Sequence, residues 1–566
     1  MLWEMPAEPS FTAQIYDPTH EQSHRRFVKV WRIGAAKENI TYFEPGIGLL
    51  GWGNSRHVAY AVESQLYARA FCFQVNEGAP HFWVEIDTCF VSVALWQAAY
   101  RKLQELFPTL RPSQLMITAN HTHAAPGGYS YHLLYHLNTP GFHAGVFEKI
   151  LNGIVNSAKS AFENRIEAEL FFNFSSYPTE VPIAFNRAME AYLKNPMAST
   201  NKPEAAVDRT AYQLNIHPGG HFINWFGTHT TTIQEENLCI SSDHKGYASE
   251  LCEEASRAIA AFAQTTAGDV TPNHFTFPGV RVRRGPTPNP FENRRLIGRY
   301  QAEMSQKLLR EQGEKLSPHL KAWWRWVDFS HVEVEEPYTR GMGRGTTGPG
   351  AIGVAFIGGT AEGGGVSSEW VRILTILTRL RGLSNPPIHG TKPILIESVT
   401  KKIFGTRRWD TLPLPSTDPV AKYLHWLGRQ RGRYVPFPLT PQVLPLQVWQ
   451  LDSIAIVALP MEPTTMAGQL IRERLSGLLA PRGVRHIIVQ GYSNGYAGYL
   501  TTYWEYQYQR YEGAHTHFGK FTLAAVEKLL SEMILDKGES AEEPPFIPLE
   551  QARKVLFTYE VARSIQ

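Results

Sequence analysis

The sequence predicts an α/β protein: mixed β-sheets packed together and flanked by helices, in one large domain. Three observations lead there. Short runs rich in β-branched and aromatic residues, residues 27–34 (FVKVWRIG) and 81–91 (HFWVEIDTCFV), read as strands. Residues 93–107 then carry helical spacing, with Leu95, Ala98, Ala99 and Leu103 on one face. Strand and helix alternate in this way along the chain, as they do where helices cover sheets on a shared core.

The remaining elements follow in order. Leu115-Met116-Ile117-Thr118 is a further short strand, and residues 144–163 and 245–264 read as amphipathic helices. Asp243 stands just ahead of the second and is a candidate cap. Residues 288–316 are highly charged with a helical pattern, opening a surface segment that extends to about residue 330. Lys321-Ala322-Trp323-Trp324-Arg325-Trp326 reads as a half-buried strand, with docking on a lipid surface as the alternative. Residues 340–365 are glycine-rich, suiting turns and close backbone approaches. Residues 385–445, rich in Pro, Arg and Trp, form an irregular insertion; Arg429, Arg431 and Arg433 within it are a solvated basic face or an attractor for anionic lipid. A regular strand pattern returns at residues 453–459. The organisation expected is an N-terminal extension (1–26), one domain (27–540) and a C-terminal tail (541–566).

Composition excludes several classes. Hydrophobic residues at 43% and charged residues at 19% support a sizeable core, not a disordered chain. A net charge of +3 is too mild for a nucleic-acid partner. The four cysteines form no CxxC pair, which disfavours both a disulfide framework and a thiolate metal site. No basic start followed by an apolar run opens the chain, and no stretch approaches the roughly 18 apolar residues of a membrane span. The expectation is a soluble, cytoplasmic protein with peripheral membrane contact at most.

Five segments offer chemistry. Asn120-His121-Thr122-His123-Ala124-Ala125-Pro126 follows a strand, and in extended backbone residues two apart project to one side, so both imidazoles face one cleft or form a hydrogen-bonded surface pair. Trp225-Phe226-Gly227-Thr228-His229-Thr230 places a histidine after an apolar strand, where a satisfied core histidine is the plainer reading. Gly268-Asp269-Val270-Thr271-Pro272-Asn273 alone reads as a turn. Met461-Glu462-Pro463-Thr464-Thr465-Met466-Ala467-Gly468 follows a hydrophobic strand, and Asn494-Gly495-Tyr496-Ala497-Gly498-Tyr499 leads into Thr501-Thr502-Tyr503 and Tyr511-Glu512-Gly513.

Together and in this order, the five segments resemble the neutral ceramidase family. Its HTHSGP motif matches His121 to Pro126, its GDVSPN motif Gly268 to Asn273, and its EFTTM-(S/A)-G motif Glu462 to Gly468. The Asn-x-Tyr-x-x-Tyr-x-Thr-Thr-Tyr stretch and the YE(A/G)A motif at Tyr511 are present, as are Leu66-Tyr67-Ala68-Arg69-Ala70-Phe71, Asn186-Arg187 and Gly348-Pro349. The resemblance implies a zinc-dependent hydrolase that cleaves the amide bond of an N-acyl, ceramide-like lipid. It implies one zinc per chain, with ligands His121, His229, Glu462 and Tyr499. His123, Arg187, Thr271 and Tyr511 match the family's substrate-handling positions. It further implies zinc-activated water as the attacking group, Tyr511 beside the developing oxyanion, His123 as proton donor to the leaving amine, and a hydrogen bond from Thr271.

The chain departs from the family at several points. Thr271 stands where the family has serine, Ala124 and Ala125 replace Ser-Gly, and the family's C-terminal β-sandwich is not expected here. Two other readings stand beside the leading one: the same hydrolase acting on a non-lipid amide, peptide or ester, and a non-catalytic lipid-binding relative, against which the retained ligand set argues. His20-Glu21-Gln22-Ser23-His24 fits the H-E-x-x-H pattern of zinc proteases but lies in a polar stretch. His515-Thr516-His517 repeats the paired-histidine pattern without a family counterpart.

Overall fold

Alternation along the first strands sorts their apolar side chains onto two faces. These strands are β1 (Trp31–Asn39), β2 (Tyr67–Val75), β3 (His81–Ile86) and β4 (Leu115–Ala119) in the computed structural model, which describes residues 29–198, 203–415 and 417–565. Trp31, Ile33, Phe71, Phe73 and Trp83 pack into one apolar layer; Ala68, Ala70, Cys72, Phe82, Val84 and Ile86 pack into another. The order continues with β5 (Ile166–Ser176), β6 (Thr210–His217), β7 (His221–Trp225), β8 (Ala260–Ala263) and β9 (Glu314–Leu316). These nine strands form one sheet in the order β8-β7-β6-β5-β1-β2-β3-β4, with β9 beside β5. Most pairs are antiparallel, but β3–β4 and β7–β8 are parallel. Parallel pairs need a crossover, supplied by α1 (Val93–Leu106) for the first. Helix α2 (Ala144–Glu163) then packs on β1 and β2, and α3 (Asp243–Ser256) spans the crossover from β7 to β8.

A second sheet, β10 (Leu320–Asp328), β11 (Val443–Leu451), β12 (Ile454–Ala458) and β13 (His486–Gln490), runs in that order, with β12 and β13 parallel. Trp449, Ile456 and Ile488 meet Trp31, Phe71, Trp83 and Trp225 across the layer between the sheets. Each such side chain contributes about 1.5–3 kcal/mol by its burial, so this layer fixes one sheet on the other. At its centre Gln490 Oε1 accepts from Trp83 Nε1 (3.1 Å) and Trp225 Nε1 (2.7 Å). Helices later in the chain cover the outer face of the second sheet, giving a helix–sheet–sheet–helix sandwich. The α/β class and its packed mixed sheets match the expectation from sequence.

Several elements differ from it in detail. The first strand runs Trp31–Asn39 rather than 27–34, of which residues 27 and 28 lie outside the described residues. The helix expected over 245–264 stops at Ser256: Arg257 takes a left-handed conformation (φ 57°), and Ala260–Ala263 joins β7 as a strand. Asp243 is the first residue of that helix, and its carboxylate accepts from the amides of Ile233 (2.9 Å) and His244 (2.6 Å). The charged helix α4 (Pro290–Arg310) buries Ile297 and Gln301 and packs on α3. In β10, Trp324 stacks on Trp96 at 4.5 Å, so this tryptophan-rich run is packed strand. The glycine-rich segment ends in α5 (Ser368–Leu380). The insertion is partly regular: α6 (Pro419–Arg429) packs Tyr423, Leu424 and Leu427 against Trp409 and Phe557. The H-E-x-x-H stretch at 20–24 lies outside the described residues. Among the described residues no helix is long and apolar enough to cross a membrane.

Candidate active site

The site lies where the parallel strands end. His121 follows β4, His229 follows β7, Thr271 follows β8, Glu462 follows β12 and Tyr499 follows β13. Loops at the carboxyl ends of parallel strands carry ligand sites in many α/β folds.

Local networks hold each loop. Buried Arg69 donates to Asp87 (3.0 Å), and Asp87 Oδ1 accepts from Asn120 Nδ2 (2.6 Å), which pins the turn ahead of His121. Thr230 Oγ1 donates to Asn120 O (2.6 Å), tying the two histidine loops together. Asp269, pushed up to about 7 by burial and the nearby Glu505, accepts from Thr465 N (2.8 Å) and Asn186 Nδ2 (2.7 Å). Glu462 and Pro463 pair in parallel with Tyr499 and Leu500.

The polar groups converge. His121 Nδ1 donates to Cys89 O (2.6 Å), and His229 Nδ1 donates to Ala267 O (2.7 Å). Those bonds fix the tautomers, leaving each Nε2 with its lone pair turned to Glu462 Oε2, at 3.5 and 3.3 Å. The carboxylate also accepts from Tyr492 Oη (3.2 Å) and Tyr496 Oη. Burial opposes its ionisation, but His121, His229 and the tyrosine hydroxyl hold it far below the usual carboxylate range. Tyr499 Oη lies 3.4 Å from His229 Nε2 and accepts from Arg187 Nη2 (2.8 Å). Burial and Glu462 push the Tyr499 phenol well up, and Arg187 pulls it back. Two imidazole lone pairs, a carboxylate and a phenol oxygen form a donor set suited to a borderline-to-hard divalent cation. Two neutral nitrogens and an anionic oxygen aimed at one point, with the far nitrogens seated on carbonyls, are the arrangement that metal-binding histidines adopt.

His123 sits beside this group. Its Nε2 lies 3.1 Å from His121 Nε2, its ring meets Trp52 edge-on at 5.2 Å, and burial pushes its pKa well below the ordinary value. The two rings face one another for a different reason than extended alternation: His121 has φ 72°, a left-handed turn that swings the chain between them. A non-glycine residue held there costs on the order of 1–3 kcal/mol. Gly51 closes the far side, since a Cβ on it would stand 2.3 Å from the His123 ring.

Arg187 is the hub of the opposite wall. It donates to Glu362 (2.8 Å), Glu512 (3.1 Å), Gly268 O (3.0 Å) and Tyr499. Tyr511 stands edge-on to Tyr499 at 5.6 Å, its other side stacked by Phe356 at 5.4 Å. The Thr271 hydroxyl accepts from Asn273 N (2.9 Å) and reaches Glu362. All eight residues singled out in the sequence therefore lie in one neighbourhood.

Comparison with known proteins agrees with this geometry. The family model described as neutral/alkaline non-lysosomal ceramidase, N-terminal, matches residues 31–372 and 426–528. The chain belongs to that family. It is a hydrolase of the ceramidase type. It is 29% identical to the neutral ceramidase of Pseudomonas aeruginosa over 513 residues, covering 89% of this chain and 71% of the relative. It is 28% identical to neutral ceramidase B of Dictyostelium discoideum, covering 88% and 70%. A solved ceramidase complexed with C2 superposes with a TM-score of 0.77 at 28% identity, covering 92% of this chain and 77% of that one.

Within this ceramidase-type site, sequence reasoning missed Glu362, Trp52 and Phe356. Glu362 is fully buried and binds Arg187, Thr231 (2.7 Å) and Asn273 (3.0 Å). Its one signal was a lone acid amid glycines, Gly358-Gly359-Thr360-Ala361-Glu362-Gly363-Gly364-Gly365. The carbonyls of Cys89 and Ala267 leave no trace in a motif.

Proposed function

We propose that this chain hydrolyses the amide bond of an N-acyl sphingoid lipid of the ceramide type, using one zinc ion held by His121, His229, Glu462 and Tyr499. The observation that carries the reading is the convergence of the two Nε2 lone pairs on the Glu462 carboxylate, in a chain of this family. When bound, zinc supplies Lewis-acid chemistry, drawing charge from an acyl oxygen and acidifying water to a pKa of about 7.

The chain's own residues do the rest. His123 is not needed to complete the donor set, and its Nε2 lies 3.1 Å from His121 Nε2, so it takes up the proton that the attacking water gives up and delivers that proton to the leaving amine nitrogen, returning to its neutral form. Tyr511, half-buried beside Tyr499, donates toward the acyl oxygen as charge builds on it. Arg187 stays charged despite burial because Tyr499, Glu362 and Glu512 surround it, and it steadies the phenol oxygen of Tyr499. Thr271, held by the Asn273 amide, offers its hydroxyl to the amide or to a substrate hydroxyl, with a methyl that narrows the site.

The test is fatty-acid release from a panel of N-acyl sphingosines, simple N-acyl amines, peptides and esters, before and after chelation and zinc return. Preference for N-acyl sphingosine, lost with zinc and regained on its return, supports the reading. Hydrolysis of peptides or esters in preference to every N-acyl lipid overturns it.

A further inference from the structure

Helix α5 has its apolar side turned the wrong way for a protein in water. Five of its thirteen residues, Trp370, Ile373, Ile376, Leu377 and Leu380, are exposed large apolar side chains, and Val366 just ahead of it is exposed too. Trp370 is 59% and Leu380 79% accessible, whereas Thr378 is the helix's one buried residue. Positions 370, 373, 377 and 380 recur at intervals of three and four, so these side chains form one continuous stripe along the helix. The opposite side, through Val371, packs on the turn Val354–Gly358. A stripe of this length is more than scattered surface apolarity and calls for an occupant.

The charges name the occupant. Arg372 and Arg379 border one edge of the stripe and Arg381 follows its end, against a single acid, Glu369. An apolar arc edged by arginine, with a tryptophan near one end, suits the boundary between lipid headgroups and acyl chains. Arginine stems lie along the apolar layer while their heads reach phosphate. A protein partner of this shape would need carboxylates at matching positions; an anionic bilayer supplies negative charge everywhere.

Position gives the helix a purpose. The turn beneath it carries Phe356, which stacks on Tyr511, and Val366 N donates to Ile357 O at 2.8 Å. Glu362, which binds Arg187, lies six residues before Ser368, within about 20 Å even for extended chain. The family match stops at residue 372, so most of α5 lies outside what the family model describes.

We propose that α5 is a membrane-docking helix that seats its Trp370–Ile373–Leu377–Leu380 stripe in the interface of an anionic bilayer and sets the active-site mouth against the lipid surface. The choice of an embedded lipid amide as substrate rests on the ceramidase reading; the docking itself does not.

The test uses the full chain in co-sedimentation with phosphatidylcholine vesicles, with and without phosphatidylserine. One variant combines Trp370→Ser, Ile373→Ser and Leu377→Ser; another combines Arg372→Glu and Arg379→Glu. These side chains are exposed, so both variants should keep the wild-type melting temperature. Wild type should sediment with phosphatidylserine vesicles, the serine variant should lose about tenfold or more in binding, and charge reversal should abolish the preference for phosphatidylserine. Hydrolysis of a vesicle-embedded N-acyl sphingosine should fall with binding, while that of a soluble short-chain amide should stay unchanged. Wild type that ignores vesicles, or a serine variant that binds as well as wild type, overturns the proposal. So does light scattering that shows a wild-type dimer and a serine-variant monomer, which would give the stripe to a second copy. Vesicle binding as expected with no hydrolysis of any N-acyl lipid would overturn the ceramidase reading and leave the docking intact.

Discussion

The tripeptide His-Thr-His occurs at residues 121–123 and again at 515–517, and the two copies live in opposite surroundings. At the first, His121 Nδ1 is seated on a carbonyl and Nε2 faces Glu462. At the second, none of the four ring nitrogens has a protein hydrogen-bond partner, and buried Lys392, its pKa pushed well below the ordinary value by burial, lies nearby and donates to Ala351 O (3.1 Å) and Thr516 O (2.6 Å). Burial pushes His515 down to about 3, and His517 falls well below its ordinary value through burial, His515 and Lys392. Both pairs are kept neutral, yet of the two only the first places a ring nitrogen within 3.5 Å of a carboxylate oxygen. The ability to hold a metal therefore resides in what distant segments bring to the imidazoles, not in their spacing.

Substitutions can break or sharpen this contrast. The largest effect belongs to His121→Ala, which should reduce bound metal from one per chain to near none and lower turnover by about 10⁴-fold or more, whereas His515→Ala should keep its metal; elemental analysis beside a turnover assay decides. His123→Ala should keep the metal while slowing amide turnover by about 10²–10⁴-fold, with an ester, whose leaving group needs less protonation, suffering less. Loss of metal in that variant, or equal slowing of both substrates, would remove the proton-donor role.

A smaller effect follows from Glu362→Gln. It leaves the Arg187 guanidinium short of one buried counter-charge, at a cost of roughly 3 kcal/mol seen as a lower melting temperature, and should slow turnover about tenfold with metal retained. The smallest concerns pH. The folded state keeps His517 neutral, while the unfolded chain takes up a proton near its ordinary value of 6.5. Below that pH the unfolded state binds more protons, so stability falls as pH drops, by up to about 1.4 kcal/mol per pH unit for this group. Denaturant melts of His517→Leu should match the wild-type slope above pH 6.5 and show a shallower loss below it.

The same contrast explains what was legible in the sequence. Strands with alternating bulky residues, such as Phe71, Phe73 and Trp83, announce themselves because each face has a core to fill. Ala260-Ala261-Phe262-Ala263 does not: small residues fit a helix equally well, and only parallel pairing with β7 makes them a strand. The ordered motifs pointed to residues that the fold gathers in one place, while the Glu362–Arg187 link could not be seen, because a lone acid among glycines has no period. In α5 the helical period is plain, but a period says which residues share a side and never which side meets water.

The gathering of His121 with Glu462 has a consequence for how the protein matures. These residues are separated by more than half the chain and come from different sheets, so no fragment that lacks either sheet contains the cluster. A nascent chain cannot offer the complete donor set until its second sheet has been made and has closed on the first. Uptake of the ion is then a late event, and it proofreads assembly: only a chain whose sheets have docked in register can retain it. Retention in turn adds RT ln(1 + [metal]/Kd) to that docked state alone. Cells short of the ion would accumulate chains that are built but loosely latched, and the ratio of metal to protein would report their folding as directly as their activity.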